Sequence, residues 1–248
     1  MISAIVLTKN EEHNIADCLK SLSFCDEIIV VDDDSTDNTV ELAKKHHATV
    51  FSHTLSQDFS QQRNFGLSKA TGDWVLFVDA DERISENLKQ EILQVTSQKN
   101  NTVEGYFVKR FDHVWGKLLS HGEIGTLRLL RLVKHNRGTW KGHVHETLTV
   151  KGTTSTLKNP LIHYPHPSVT EFLEAINIYS TIRANELHEK RVRANTVQIV
   201  LYPLGKFLQN FIFRLGFLDG TAGLVFASIM SFHSFLVRGK LWLLWQKK

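Results

Sequence analysis

Two carboxylates, Asp79 and Asp81, follow a run of five apolar residues at positions 74–78. The run is too short for a typical helix and too continuous for a half-exposed strand, so it predicts a strand buried on both faces of a parallel sheet. Ligands of open α/β sheets bind outside the carboxyl ends of the strands. Two aspartates there can hold a divalent cation whose other ligands are water and substrate phosphates. The alternative is a solvated acidic turn before the next helix.

A second acidic cluster, residues 32–34, ends another apolar run at residues 27–31. If both runs are strands of one parallel sheet, their carboxyl ends meet at the same edge. Carboxylates packed together repel one another unless a cation compensates their charge. The two clusters together therefore favour a cation site over simple solvation.

The elements that position these clusters alternate between strand and helix through the first hundred residues. Asn10 is a good N-cap for a first helix, and Ser85 for a helix that runs to about Thr96. This alternation predicts βαβ units in a mostly parallel sheet. The predicted strands are 2–7, 27–31, 48–51 and 74–78, and a further helix covers 58–70.

The pattern changes after residue 100. Three β-like segments without intervening helices predict an antiparallel addition to the sheet, at 105–111, 126–133 and 144–150. A helix is predicted over 170–190, with an apolar face formed by Phe172, Ile176, Tyr179 and Ile182.

The C-terminal region differs in charge from the rest of the chain. Of the formal net charge of +3, residues 190–248 carry +8 and the remainder −5, which suggests an anionic partner for this tail. Polar residues interrupt the apolar run 221–237, so it is predicted to be too short to span a bilayer. It is expected to form an interfacial or oligomer-forming helix, and an ordinary packed helix is the alternative. Two cysteines and a first segment without basic residues indicate a reducing compartment and no signal peptide.

Three motifs in this order resemble the family 2 glycosyltransferases of GT-A fold: VVDDDSTDNT, QQRN and WVLFVDADE. The resemblance covers about residues 1–100. Further on, LRLLR, GHVHE and the DG at 219–220 resemble the bacterial subgroup that adds sugars to the lipopolysaccharide inner core or related envelope glycans. The resemblance implies a Rossmann-like α/β fold with an antiparallel acceptor-side addition.

The resemblance also implies roles for individual residues. Asp81 is expected to be the principal ligand of Mg²⁺ or Mn²⁺, with Asp79 contacting the metal or the ribose. Thr8 and Asp33 would hold the base and ribose of a nucleotide-diphosphate sugar, most simply a UDP-sugar, and Arg63 would line the same pocket. Inversion by direct displacement is likewise an implication of the family.

An inverting transferase needs a base for the acceptor hydroxyl. Glu146 is the predicted base and Asp112 the alternative. Strand alternation separates Glu146 from the neighbouring histidines at 143 and 145, which weakens a zinc interpretation. His163 and His166 are candidates to complete the metal shell, although structural histidines are the more ordinary interpretation. Arg128 and Arg131 could meet an acceptor phosphate. Their spacing of three places them on opposite faces of a strand, so at most one should point into the cleft.

We therefore expect a metal-dependent hexosyltransferase that acts on an envelope glycolipid at the cytoplasmic face of the bacterial membrane. It should bind an anionic membrane surface peripherally, should not bind nucleic acid, and could form homo-oligomers. The expected organisation is a nucleotide-sugar half, an acceptor half and a helical extension, at 1–100, 101–168 and 169–248. The alternatives are a polyprenyl-phosphate acceptor, a non-catalytic nucleotide-sugar-binding protein and a receiver-like signalling domain.

Overall fold

The computed structural model describes residues 1–54, 59–98, 100–142, 146–165 and 168–246. The chain divides into two compact units. The sheet unit comprises Met1–Arg110 and Arg128–His163, and the helical unit comprises Phe111–Leu127 and Tyr164–Lys248. The three ranges expected from the sequence stay a prediction.

Strands and helices alternate through the first hundred residues, as predicted. The strands there are β1 (Ile2–Thr8), β2 (Glu27–Asp32), β3 (Thr49–Ser52), β4 (Trp74–Asp79) and β5 (Glu82–Ile84). The helices are α1 (Ile15–Ser21), α2 (Thr39–Lys45), α3 (Phe59–Lys69) and α4 (Glu86–Thr96).

Strands predominate from there to residue 163, and helices follow. The later strands are β6 (Val103–Val114), β7 (Lys117–Leu119), β8 (Arg128–Lys134), β9 (Gly138–Lys141), β10 (Thr147–Val150), β11 (Thr153–Thr156) and β12 (Leu161–His163). The later helices are α5 (Val169–Glu189), α6 (Thr196–Leu208) and α7 (Gly220–Gln246).

The core of the sheet unit is a parallel sheet in the order β3-β2-β1-β4. Residues 74–78 of β4 are all at most 5% exposed, because β1 and β8 flank the strand and apolar side chains cover both of its faces. The carboxyl ends of β1, β2 and β4 consequently share one edge. The predicted α/β class, with a mostly parallel sheet, is confirmed.

The antiparallel addition is confirmed for two of its three predicted segments. The third, 144–150, contributes β10, which pairs with β9 in a separate two-stranded sheet and does not join the main sheet. β8 pairs antiparallel with β4, and β6 pairs antiparallel with β8. A bulge interrupts the second pairing: Tyr106 opposes Leu132 and Phe107 opposes Leu130, so Arg131 is an extra residue in β8. This bulge corrects the expectation that Arg128 and Arg131 face opposite ways. The extra residue resets the alternation, and both arginines line one cavity.

Of the two predicted N-terminal helix caps, one is confirmed and the other is wrong. Ser85 caps α4 as predicted, and its side chain accepts a hydrogen bond from the Leu88 N–H. Asn10 does not cap α1, whose N-cap residue is Asn14. Asn10 instead adopts a left-handed conformation, with φ of 53°, and its side chain accepts a hydrogen bond from the Thr36 N–H at 2.8 Å. It thus joins the loop after β1 to the loop after β2.

In the helical unit, α5 and α6 both pack against α7. The helix α5 lies where predicted, but its buried face is Phe172, Ile176, Ser180 and Ala184. Tyr179 and Ile182, predicted on that face, are 62% and 40% exposed. The small side chains of Ser180 and Ala184 face α7, and the Lys240 amino group of α7 donates to Ser180 at 2.8 Å.

The last helix is longer than predicted. α7 continues for 27 residues without a break, because Ser228 turns its hydroxyl back to the Leu224 carbonyl and Ser231 donates to the Pro203 carbonyl of α6. Residues 216–246 are long and apolar enough to cross a bilayer by length and composition, as the core helix of a soluble protein can also be. The expectation that polar residues make this run too short is therefore wrong.

Candidate active site

Asp79 lies between two arginines at the end of β4. Its Oδ1 accepts from Nη2 of Arg63 at 3.0 Å, and its Oδ2 accepts from Nη2 of Arg131 at 2.6 Å. Burial favours the protonated form, but the two guanidiniums outweigh burial and hold the pKa of Asp79 well below its usual value. The carboxylate is therefore ionised, and each of its oxygens accepts a hydrogen bond from a guanidinium.

Behind Asp79 lies a buried carboxylate that the sequence reasoning missed. The side chain of Glu82 is 0% exposed; it accepts from Nη2 of Arg131 at 2.7 Å and from the Asp79 N–H at 2.9 Å. Nη1 of Arg110 lies 3.9 Å from Oε1 of Glu82. Burial raises the pKa of Glu82, and Arg131 opposes this shift. Its place next to Asp81 in the acidic motif was the available signal, since a third acid at a strand end needs a partner.

The polar residues on either side of Arg63 in α3 hold the helix, and with it Arg63, against its neighbours. Gln62 donates to the His53 carbonyl at 2.8 Å, and the Asn64 side chain both donates to the Trp140 carbonyl and accepts from the Trp140 N–H. The Arg63 guanidinium lies 4.6 Å from the centre of the Trp140 ring, a cation–π distance. Gly66 lets the helix approach β1, since a Cβ there would lie 2.6 Å from Cγ2 of Ile5. The QQRN motif therefore fixes the orientation of Arg63, which is 6% exposed.

Glu146 lies on the other side of Arg63, and its Oε1 accepts from Nε of that arginine at 3.2 Å. Arg63 thus links the predicted base to Asp79. Both carboxylates line a cavity of about 330 Å³ in the sheet unit. The other charged residues of its wall are Arg63, Arg110, Arg128 and Arg131.

Asp81 contacts a different partner. Its Oδ2 lies 3.1 Å from Nε2 of His163. Asp81 directly precedes β5, and His163 ends β12, which pairs antiparallel with β5. A carboxylate oxygen and an imidazole nitrogen at this separation can share one divalent cation. In the described part of the chain, no group of three His, Cys, Asp or Glu side chains could hold a metal by itself. Asp81 and His163 offer one oxygen and one nitrogen donor, and a cation held there would take its other ligands from substrate and water.

The predicted nucleotide residues lie at the carboxyl ends of two strands: Thr8 is the last residue of β1, and Asp33 directly follows β2. Thr8 is 6% exposed, and its hydroxyl has no hydrogen-bond partner among the described residues. Asp33 Oδ2 forms an ion pair with the Lys9 amino group at 2.7 Å. Asp32 accepts from the Ser35 N–H at 3.0 Å and from the Ser35 hydroxyl, so it stabilises the acidic turn.

Some predicted residues lie elsewhere. Asp112, the alternative base, belongs to the helical unit, where it pairs with Leu119 of β7 and is 7% exposed. The residues at 143–145 and at 166 lie outside the described residues. The structure therefore brings Arg63, Asp79 and Glu146 together, and Asp81 with His163.

The comparison with known families now gives the class. The sequence model of glycosyl transferase family 2 matches residues 3–150. This is more than half of the chain, so the protein belongs to glycosyl transferase family 2. The resemblance inferred from the motifs is confirmed, and the receiver-like alternative is replaced by a glycosyltransferase.

Individual relatives agree with this family. Over 97% of its length the chain is 29% identical to an uncharacterized glycosyltransferase of Rickettsia typhi, of which it covers 86%. Over the same share it is 26% identical to the lipopolysaccharide core biosynthesis glycosyltransferase LpsC of Rhizobium meliloti, of which it covers 92%.

Among solved structures, glucosyl-3-phosphoglycerate synthase from Mycobacterium tuberculosis is similar. Its complex with Mn²⁺, uridine diphosphate and glucosyl-3-phosphoglycerate aligns with a TM-score of 0.49 at 17% identity, over 76% of this chain and 79% of that one. Against its complex with Mn²⁺, UDP-glucose and phosphoglyceric acid, the match covers 45% of this chain and 44% of that chain, with a TM-score of 0.37 and 25% identity.

Proposed function

We propose that this glycosyltransferase is metal-dependent and moves a hexose, with inversion, from a nucleotide-diphosphate donor to a lipopolysaccharide-core or other envelope glycolipid. The observation that carries this proposal is the strand-end pair Asp79 and Asp81. One carboxylate is held ionised by arginines, and the other contacts an imidazole. In a family of transferases, such a pair at the sheet edge suits a charged donor that arrives with its own phosphates.

A divalent cation, Mg²⁺ or Mn²⁺, would be held by Asp81, with His163 and Asp79 as its protein neighbours. Bound there, it would stabilise the negative charge that develops on the leaving diphosphate. Asp79 already accepts from Arg63 and Arg131, so we assign it an orienting part and Asp81 the principal coordination.

The donor nucleotide would occupy the edge formed by β1 and β2. The buried Thr8 hydroxyl lacks a partner among the described residues, and such a group gains most from a ligand that bonds to it. Asp33 can accept from a ribose hydroxyl, and Lys9 beside it balances its charge. A UDP-sugar is the donor that we would test first.

Glu146 is our proposed base for the acceptor hydroxyl. It lines the cavity next to Asp79, and its Oε1 accepts one hydrogen bond from Arg63. The other carboxylate oxygen can therefore take the proton as the hydroxyl oxygen attacks the anomeric carbon. Asp112 stays the alternative.

We place the enzyme at the cytoplasmic membrane surface, peripherally bound. The support is the helical unit, whose α6 has no buried residue and whose tail carries a net charge of +8. Basic residues and exposed apolar side chains together suit an anionic membrane surface. The relative named for lipopolysaccharide core biosynthesis supports a glycolipid acceptor. A homo-oligomer formed through the same helices is the competing use of this surface.

The proposal is tested with UDP and Mn²⁺. We expect UDP to raise the melting temperature of the full-length protein only when Mn²⁺ is present, and EDTA to abolish transfer. Asp81→Ala should lose both transfer and the metal dependence of UDP binding by calorimetry. Asp17→Ala, an exposed acid of α1 that pairs with Lys20, is the matched control and should keep both.

Four results would contradict parts of this assignment. Full transfer in Asp81→Ala, or undiminished transfer in EDTA, would remove the metal from the mechanism. Metal-dependent UDP binding without transfer to any glycolipid would favour the non-catalytic alternative. Transfer to a polyprenyl phosphate with Glu146→Gln as active as the wild type would favour that acceptor, because a phosphate needs no strong base.

A further inference from the structure

The cavity beside Asp79 contains more positive than negative charge. Four guanidiniums, of Arg63, Arg110, Arg128 and Arg131, face the carboxylates of Asp79, Glu82 and Glu146. Among the described residues, these four cations and three carboxylates leave one positive charge in excess even when Glu82 is counted as ionised. A neutral sugar bound in this cavity would gain nothing from this excess, whereas an anionic group could pair with it.

The excess charge can be assigned to one residue. Arg63 pairs with Asp79 and Glu146, Arg131 pairs with Asp79 and Glu82, and Arg110 lies 3.9 Å from Glu82. Arg128 is exposed and, within the described residues, forms no ion pair. It lines the cavity because the bulge at Arg131 turns both arginines to one side of β8.

Sheet topology decides which substrate this charge would meet. In the order β2-β1-β4-β8-β6, Thr8 ends β1 and Asp33 follows β2 on one side of β4, whereas Arg128 and Arg110 belong to β8 and β6 on the other. Asp79, at the end of β4, separates the two sides. The excess charge therefore lies away from the proposed nucleotide edge, on the side that remains for the acceptor.

We infer that Arg128, assisted by Arg110, binds an anionic group of the acceptor, a phosphate or a carboxylate, at the mouth of this cavity. The inference rests on the proposed function for the identity of the acceptor side. A guanidinium forms two parallel hydrogen bonds to either group, which fixes orientation as well as binding. Arg128 is thus a specificity residue that selects acid-bearing glycans over neutral ones.

The test uses defined sugar probes with the full-length protein in the presence of UDP and Mn²⁺. Dissociation constants are measured by NMR titration for mannose, mannose 6-phosphate and glucuronate. We expect one of the two anionic probes, at least, to bind on the order of 10-fold more tightly than mannose. That preference should vanish in Arg128→Ala and be partly retained in Arg128→Lys, which keeps the charge without the planar fork.

The matched control is Arg137→Ala, an arginine that is half exposed, belongs to the same unit and lies outside the cavity wall. It should keep the preference. The dissociation constant of UDP with Mn²⁺ should be the same in Arg128→Ala as in the wild type, and circular dichroism checks the fold of each variant.

Three results would overturn the inference. They are equal binding of all three probes by the wild type, an anion preference that survives Arg128→Ala, and a loss of UDP binding in Arg128→Ala, which would assign the charge to the donor diphosphate. Failure of the proposed function looks different: the wild type would then bind no UDP with Mn²⁺, whereas the Arg128-dependent preference could still be measured without the nucleotide.

Discussion

The strand β4 of the sheet unit and the helix α6 of the helical unit differ most in how they treat their apolar residues. In β4, residues 74–78 are nearly inaccessible, whereas in α6 no residue is buried, and Val197 and Val200 are 62% and 61% exposed. Yet α6 is well formed at its start, with a capping box between Asn195 and Gln198. A core therefore holds β4 in place, whereas α6 depends on local capping, on packing against α7 and on the ion pair between Lys206 and Glu123.

This contrast separates the part of the chain suited to catalysis from the part suited to association with a membrane or another protein. The polar atoms of the sheet unit form a network at a strand edge, fixed by a dense core, which is what precise chemistry needs. The helical unit leaves a large apolar surface in contact with solvent, and contiguous surfaces of this kind usually mark binding to protein or membrane. We therefore expect changes in the first unit to affect catalysis and folding, and changes in the second to affect association.

The largest effect is expected from the base. Glu146→Gln keeps the size of the side chain and the contact with Arg63 but loses the proton acceptor. Turnover should fall by roughly 10² to 10⁴, with the KM of the donor nearly unchanged in steady-state kinetics. If Asp112→Asn shows this loss and Glu146→Gln does not, the roles of the two residues are reversed.

The next effect concerns folding of the sheet unit. Arg131→Met leaves Glu82 buried without its partner, which should lower the free energy of unfolding by about 3–5 kcal/mol. Arg128→Met, three residues earlier in the same strand but exposed, should change it by at most about 0.5 kcal/mol. Urea denaturation followed by tryptophan fluorescence measures both. Equal stability of the two variants would mean that the buried network is not needed for folding.

A smaller effect is expected on membrane binding. Replacing Val200, Leu201 and Leu204, which are 53–61% exposed on α6, by serine should weaken sedimentation with phosphatidylglycerol vesicles on the order of 10-fold, because inserted aliphatic area is lost. The same three residues replaced by methionine keep that area and should bind as the wild type does. Unchanged vesicle binding of the serine variant, with dissociation of an oligomer instead, would assign the surface to self-association.

The smallest effect compares two helix caps. Ser85→Ala should lower the free energy of unfolding by about 1 kcal/mol, since the Leu88 N–H loses its acceptor within a packed unit. Asn195→Ala removes a similar bond from α6, where no core resists fraying, so it should mainly speed amide exchange in the first turn of that helix. Ser85→Asp keeps the cap and is the control. Equal exchange patterns in both alanine variants would contradict the contrast between the two units.

Much of the parallel core could be predicted because its signals are local. Continuous apolar runs, their lengths and the acids that follow them predicted β1, β2 and β4 to within a residue or two, and Ser85 carried its own capping signal. Asp79 and Asp81 were found by the same reasoning, since a strand end is a position in sequence as well as in space.

Other features depend on residues far apart in the chain. No local pattern placed Arg63, Asp79 and Glu146 in one network, because α3, β4 and the segment before β10 meet only after the sheet has formed. The bulge at Arg131 is invisible to strand alternation, since it arises from the pairing of β8 with β6. Asn10 took a left-handed turn instead of a helix cap because Thr36, 26 residues away, supplied its partner.

The helical unit divides along the same line. Composition determined that its helices are apolar and that the tail is basic, because these are sums over residues. Which face of α5 is buried, and how far α7 continues past its serines, depended on a partner helix that accepts or supplies the matching groups. Sequence determines the residues that are available at each position, whereas packing between distant elements decides which of them meet.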